Sequence, residues 1–207
     1  MHIDRRTLIR AAVALAGVAG FGRAGFADID VAKLNEPSAI GEMSMGPDNA
    51  KVTVIEYASA SCPHCANFYK TTFQELKKQY IDTGKIRFVF REFPHNDAAL
   101  AAFMIARCAP KDKYFPLVDT FFRTQDAWLQ NPEEGLFKIA QLAGFTKASF
   151  DECLKNEKVA NGIIAVRDKA ENEFGVNGIP TFFINGKVLN GETSIEEFKK
   201  IIDPQLT

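Results

Sequence analysis

Four residues at positions 62–65, Cys62-Pro63-His64-Cys65, are where the sequence most plainly permits chemistry. Two cysteines at this spacing on a helix start can close a small disulfide across the first turn and open it again. The first cysteine would face the unpaired backbone N–H groups and the positive end of the helix dipole, and both favour its thiolate. A thiolate attacks disulfides, and an acidic thiol is also the better leaving group from one. An imidazole at His64, charged or hydrogen-bonding, would stabilise the Cys62 thiolate further. That stabilises the reduced form and makes the disulfide the stronger oxidant. Pro63 sets the first-turn geometry at little cost, because the N–H it lacks would be unpaired there anyway. Cys65, deeper in the helix, reads as the more buried, resolving thiol.

Blander readings compete with this one. The pair could be half of a zinc site, but such a site wants four ligands, commonly from a second close pair. Cys108 and Cys153 lie far apart, in segments that look separately helical, so no metal is expected. A plain structural disulfide is a second alternative, against which the exposed junction of strand and helix argues. Pro180 is the other informative residue, because prolines within sheets are confined to edges and strand starts. It could be an ordinary trans proline opening a strand. It could instead be a cis proline in a loop facing the cysteines, removing a backbone donor beside a reactive sulfur. The carbonyl and N–H of Ile179 would then be placed to pair with an extended substrate peptide.

The elements that must position these residues can be read from the pattern. Val52 to Tyr57 is β-branched and apolar, a buried strand ending just before the cysteines. After them Phe68, Tyr69, Phe73, Leu76 and Tyr80 recur at helical spacing. Ile86 to Phe93 is a second strand. From Asn96 to about Phe174 the pattern is helical: one helix capped by Asn96 or Asp97 and running to Cys108, a second from Tyr114 to Gln125, and a third started by Asn131-Pro132-Glu133-Glu134. Two more helical segments follow, with Gly175 as a stop. Ile179 to Ile184 is a strand, Asn185-Gly186 a hairpin turn and Lys187 to Leu189 the returning strand. Ser194 and Glu197 form a capping-box pattern for a last helix. Residues 28–50 read as an extended lead-in with a short edge strand. His95 reads as a loop residue, Trp128 as packed, and the Phe-rich stretches at 88–93 and 182–183 as core. A strand–helix–strand start implies a right-handed crossover and a parallel pair. Without residues 96–174 an α/β sandwich remains.

Residues 1–27 differ from the rest. Arg5, Arg6 and Arg10 precede an apolar run from Ala11 to Phe21, and Gly25-Phe26-Ala27 supplies small residues for cleavage. This is the pattern of a secretory signal, and the run is too short to span a bilayer. Arg5-Arg6-Thr7-Leu8 is also similar to a twin-arginine signal. Export would put the four cysteines in a compartment where disulfides persist. The 207-residue chain is 46% apolar with a net charge of −1, enough for a sizeable core and without the basic excess of a nucleic-acid binder. Its 18 Phe against one Trp imply a Phe-rich core or an apolar groove.

Cys62-Pro63-His64-Cys65 after a strand ending in Glu56-Tyr57, the long helical insertion, and Gly178-Ile179-Pro180-Thr181-Phe182 together resemble the disulfide bond protein A (DsbA) family of bacterial thiol–disulfide interchange proteins. The resemblance covers most of residues 45–204. It implies a thioredoxin fold with an inserted helical domain: a thioredoxin-like domain of residues 28–95 and 175–207, and an insertion of residues 96–174. It implies a periplasmic oxidase without an external cofactor. Cys62 would form the mixed disulfide with a reduced, unfolded exported protein, and Cys65 would resolve it. A quinone-linked membrane protein similar to the DsbB family would reoxidise the pair, and the enzyme would act as a monomer. Pro180 matches the family's cis proline. Glu56 matches the acidic residue kept beneath the active site, where it would tune the cysteines or relay a proton, or serve only structurally. Cys108 and Cys153 depart from the simplest members; an extra disulfide in some relatives implies a structural bridge, with free thiols or a redox modulator as alternatives.

Other functions remain to be weighed. A reductase or isomerase would use the same chemistry, although isomerases of this kind usually need a dimerisation domain, and none is seen. A thiolate metal-handling module is chemically open, but the Met-rich or His-rich stretches that would support it are missing.

Overall fold

The protein is described by a computed structural model covering residues 29–207; the signal pattern at 1–27 lies outside the described residues. In chain order the elements are α1 (Val31–Leu34), β1 (Met43–Met45), β2 (Val52–Ala58), α2 (Pro63–Lys70), α3 (Thr72–Leu76, continued by a π turn, Lys77–Ile81) and β3 (Ile86–Glu92). There follow α4 (Asp97–Cys108), α5 (Tyr114–Arg123), α6 (Gln125–Trp128), α7 (Pro132–Leu142), α8 (Lys147–Leu154) and α9 (Glu157–Phe174). The chain closes with β4 (Thr181–Ile184), β5 (Lys187–Asn190) and α10 (Ile195–Leu206).

The five strands form one mixed sheet in the order β1-β3-β2-β4-β5. β2 and β3 pair in parallel, as the strand–helix–strand order requires, and the other neighbours are antiparallel. Asn185 and Gly186 both adopt positive φ in the β4–β5 turn, the geometry that makes an Asn-Gly pair a hairpin signal. Both faces of the sheet are covered. On one, Val54, Ala58, Phe88, Phe90 and Phe182 pack with Phe68, Phe73, Phe103, Phe122 and Phe198 from the helices. On the other, Ile55, Tyr57, Val89 and Phe183 pack with Val166, Ala170 and Phe174 of α9. Most of the aromatic excess is therefore core: Phe68, for instance, lies 4.7 Å from Phe182 and 5.8 Å from Phe198, centroid to centroid.

Several local expectations are corrected. The helix after Cys65 is not continuous. Thr71 departs from ideal helix angles (φ −114°, ψ −79°), and its hydroxyl donates to the Asn67 carbonyl, a back-bond that bends helices. The lead-in holds a helical turn, α1, capped by Asp30 as well as the edge strand. Ser194 stands at the start of α10 but makes no side-chain cap, and Asn131 at the start of α7 donates to Glu134 instead of accepting from the backbone. The capping box forms elsewhere, between Thr146 and Ser149.

Candidate active site

β2 delivers the chain to the cysteines. Its two-residue alternation turns Val54, Glu56 and Ala58 toward the helices, and the turn that follows is closed by the Cys62 N–H donating to the Ser59 carbonyl at 3.0 Å. Cys62 is the N-cap of α2, with extended backbone (φ −84°, ψ 122°) and Pro63 in the first turn. Its carbonyl accepts the first helical hydrogen bond from Ala66. A residue the sequence reading passed over fixes this loop: Gln125, buried at the start of α6, donates through Nε2 to the carbonyls of Ala60 at 2.8 Å and Cys62 at 3.0 Å. Nothing in local sequence marks a glutamine for that task, because its partners are 65 and 63 residues away.

The two sulfurs sit in different surroundings, and both are free thiols here. Cys62 keeps 7% of its surface and Cys65 none, so the first is the one a substrate can reach. The Cys62 pKa is lowered to about 6, chiefly by a hydrogen bond from the Cys65 thiol. Burial opposes this, and the backbone N–H groups of Cys65 and His64 and the charge of His95 assist it. Burial pushes the Cys65 thiol well above its usual range, and the neighbouring Cys62 and Glu56 charges add to that. One thiol is poised as thiolate and its partner held neutral.

His64 acts differently from expectation. It contributes its backbone N–H to Cys62, while its ring turns outward and meets the Glu192 carboxylate, Nδ1 to Oε2, at 3.2 Å. The imidazole whose charge does reach Cys62 is His95, held by Ser59 Oγ at 2.8 Å on Nδ1. Read from sequence as a loop residue, it belongs to the site. The only sequence signal was its place just after β3, the strand paired in parallel with β2, which leads into the cysteines.

Pro180 follows a cis peptide bond from Ile179, just ahead of β4, and the Ile179 carbonyl faces Cys62 Sγ at 3.7 Å. Chain segments more than a hundred residues apart thus meet at one sulfur. Beneath them Glu56 is fully buried; Tyr69 donates to its Oε2 at 3.2 Å, and Oε1 has no partner. Burial raises its pKa well above the ordinary carboxylate value, against a smaller lowering by the Tyr69 hydroxyl. Cys108 and Cys153 are joined by a disulfide between α4 and α8 (Cα–Cα 6.0 Å). Among the described residues no cluster of three or more His, Cys, Asp or Glu is arranged to hold a metal ion.

Comparison with known proteins gives a consistent picture. A family model described as thioredoxin matches residues 38–204. A Rickettsia felis protein named as a candidate protein-disulfide oxidoreductase is 36% identical over 168 residues, 80% of this chain and 60% of that protein. The chain thus spans about 60% of the length of the Rickettsia relatives it matches. Disulfide bond formation protein D of Bacillus subtilis is 27% identical over 183 residues, 83% of this chain and 80% of that one. The crystal structure of alpha-DsbA1 from Wolbachia pipientis matches with a TM-score of 0.77 at 28% identity, covering 84% of this chain and 94% of the other.

Proposed function

The chain belongs to the thioredoxin family and has the fold of DsbA proteins; from that premise we propose that it is an exported thiol–disulfide oxidoreductase that introduces disulfides into folding proteins through Cys62 and Cys65. The observation that carries this reading is the split between the two thiols: Cys62 reachable, with its pKa at about 6, and Cys65 buried and held neutral.

In the oxidised enzyme a substrate thiolate attacks Cys62 Sγ. The Cys62–Cys65 bond breaks, Cys65 leaves with the electron pair and takes up a proton, and a mixed disulfide joins substrate to Cys62. A second substrate thiolate then attacks the substrate sulfur and expels Cys62, which leaves readily because its thiolate is stabilised. Two electrons pass from the substrate dithiol to the enzyme pair. Cys65 attacks the mixed disulfide in the reverse direction and in reoxidation. The Ile179 carbonyl, beside Pro180, supports an extended substrate strand at the sulfur, and Glu56, fully buried with its pKa raised by that burial, is the group assigned to supply the proton to Cys65.

The remaining assignments belong to the same proposal. The clients are reduced, unfolded exported proteins, and a membrane reoxidant of the DsbB kind takes up the electrons. The signal pattern at 1–27 supports export to the periplasm. The chemistry lies in residues 28–95 and 175–207, and the helical insertion at 96–174 supplies the covering helices. The test is the reduction potential of the Cys62–Cys65 pair by equilibration with glutathione. A value well above the glutathione couple is expected; a thioredoxin-like low value would sink the oxidase reading in favour of a reductase.

A further inference from the structure

Glu192 lies in the loop between β5 and α10, in a sequence, Gly191-Glu192-Thr193, that no motif singles out. The loop is built onto the Pro180 wall of the site. The Gly191 N–H donates to the Pro180 carbonyl at 2.7 Å, Gly191 takes the positive φ of 76° this needs, and Thr193 is buried with its hydroxyl on the Gly191 carbonyl. From that wall the Glu192 carboxylate reaches across to the first turns of α2. Oε2 meets His64 Nδ1 at 3.2 Å, and Oε1 accepts from Asn67 Nδ2. Both carboxylate oxygens are thus engaged by the helix that carries the cysteines.

We propose that Glu192 is a positioning residue that clasps the His64 ring away from the Cys62 sulfur and thereby limits how strongly oxidising the Cys62–Cys65 disulfide is. The inference rests on the disulfide-exchange reading of the site. The physical argument is a competition for one donor. A thiolate is stabilised by any N–H or positive charge brought to it, and that stabilisation favours the reduced enzyme. His64 occupies the position between the cysteines from which its ring could do this, yet Nδ1 is committed to Glu192 and the carboxylate offsets whatever charge the ring carries. In agreement with this, His64 helps Cys62 through its backbone N–H, whereas the imidazole charge that reaches the sulfur is that of His95. Among the described residues the groups shown to act on Cys62 are Cys65, the His64 backbone N–H and His95, and Glu192 holds the His64 ring.

The experiment is a double-mutant cycle on the full chain: wild type, E192A, H64A and E192A/H64A, with E192Q as a variant that removes charge but keeps one acceptor. Each is equilibrated with reduced and oxidised glutathione, in which two glutathione thiols reduce the enzyme disulfide and leave as glutathione disulfide. The Cys62 thiolate is titrated separately by its absorbance at 240 nm. E192A is expected to raise the equilibrium constant toward reduced enzyme roughly three-fold, the scale of one exposed charge-assisted contact, and to lower the Cys62 midpoint. E192Q should give a smaller shift of the same sign. In the H64A background the E192A shift should disappear. An E192A shift of equal size with and without His64 would overturn the proposal, since Glu192 would then act on Cys62 by its own charge. No shift at all would overturn it as well. A low wild-type potential would sink the oxidase reading while leaving the E192A ratio readable, so the two failures are separable.

Discussion

Burial raises the pKa of both Cys62 and Glu56, but hydrogen bonds outweigh it at the first and not at the second. Cys62 has hydrogen bonds that favour its charged form, and its pKa falls to about 6. Its contribution to the stability of the reduced protein is therefore present above the unfolded thiol value near 8.5 and is lost as pH falls through about 6. Titration of the reduced protein at 240 nm should show one thiolate forming near pH 6, and His95→Ala should move that midpoint upward, because the imidazole charge that lowers it is gone. An unmoved midpoint would remove His95 from the site. Glu56 is the reverse case: full burial raises its pKa. Its proton is held more tightly folded than unfolded, so its contribution is favourable below the unfolded carboxyl value near 4.3 and is lost as pH rises through the folded one. Glu56→Gln should accordingly stabilise the protein at pH 8, because the charged carboxylate is disfavoured by burial and the neutral amide is not. The gain should shrink toward pH 4. Thermal unfolding of both proteins at the two pH values measures this, and an equal or lower stability of the variant at pH 8 would show that Glu56 is a satisfied structural carboxyl.

Elements carry information that single residues do not, and here local sequence was a good guide to some and a poor one to others. Strands β2, β3 and β4, the hairpin and the helix starting at Asn96 were legible because each rests on a signal within a few residues: β-branched runs, an Asn-Gly pair, an Asx cap. The cysteine pair was legible for the same reason. Gln125, Glu192 and the ring orientation of His64 were not, because each depends on a partner brought near only by the fold. The charges ending β3 are another such case. Arg91 turns to one face and bonds Glu42 and Tyr57, while Glu92 turns to the other, where it accepts from Arg107 Nη2 at 2.8 Å and Tyr114 at 2.6 Å. In the fold they are buried and paired. Gly135 shows how packing reverses a propensity. In a free helix Ala is favoured over Gly by about 1 kcal/mol. In α7 a Cβ at 135 would stand 2.6 Å from the Trp128 Cα, against backbone that cannot yield cheaply. Gly135→Ala should therefore destabilise by about 1–3 kcal/mol, checked by urea unfolding; a stabilised variant would mean that α6 and α7 can separate at little cost.

For the whole molecule, the question is what holds the helices between β3 and β4 onto the sheet that carries the chemistry. Part of the answer is the shared core, since Phe103 of α4 and Phe122 of α5 pack against Phe90 of β3. Part is polar: Gln125 ties α6 to the cysteine loop, and Arg107 ties α4 to Glu92. The Cys108–Cys153 bridge adds a covalent link within the helices, between α4 and α8, across 45 residues of chain. Its effect follows from the unfolded state. Closing a loop of that length removes conformational freedom from the denatured chain and stabilises the fold by about 4 kcal/mol in the chain-entropy model. Replacing both cysteines with alanine should accordingly lower the unfolding free energy by up to about 4 kcal/mol, seen as an earlier denaturant midpoint, while the glutathione equilibrium of Cys62–Cys65 stays at its wild-type value. If the variant kept its stability but changed its potential, the helices would be transmitting the state of the bridge to the active site, and the link would be a redox modulator. The route would then have to run through α4, which ends at Cys108 and whose N-cap Asn96 accepts from Ser61 Oγ, next to Cys62, at 3.0 Å.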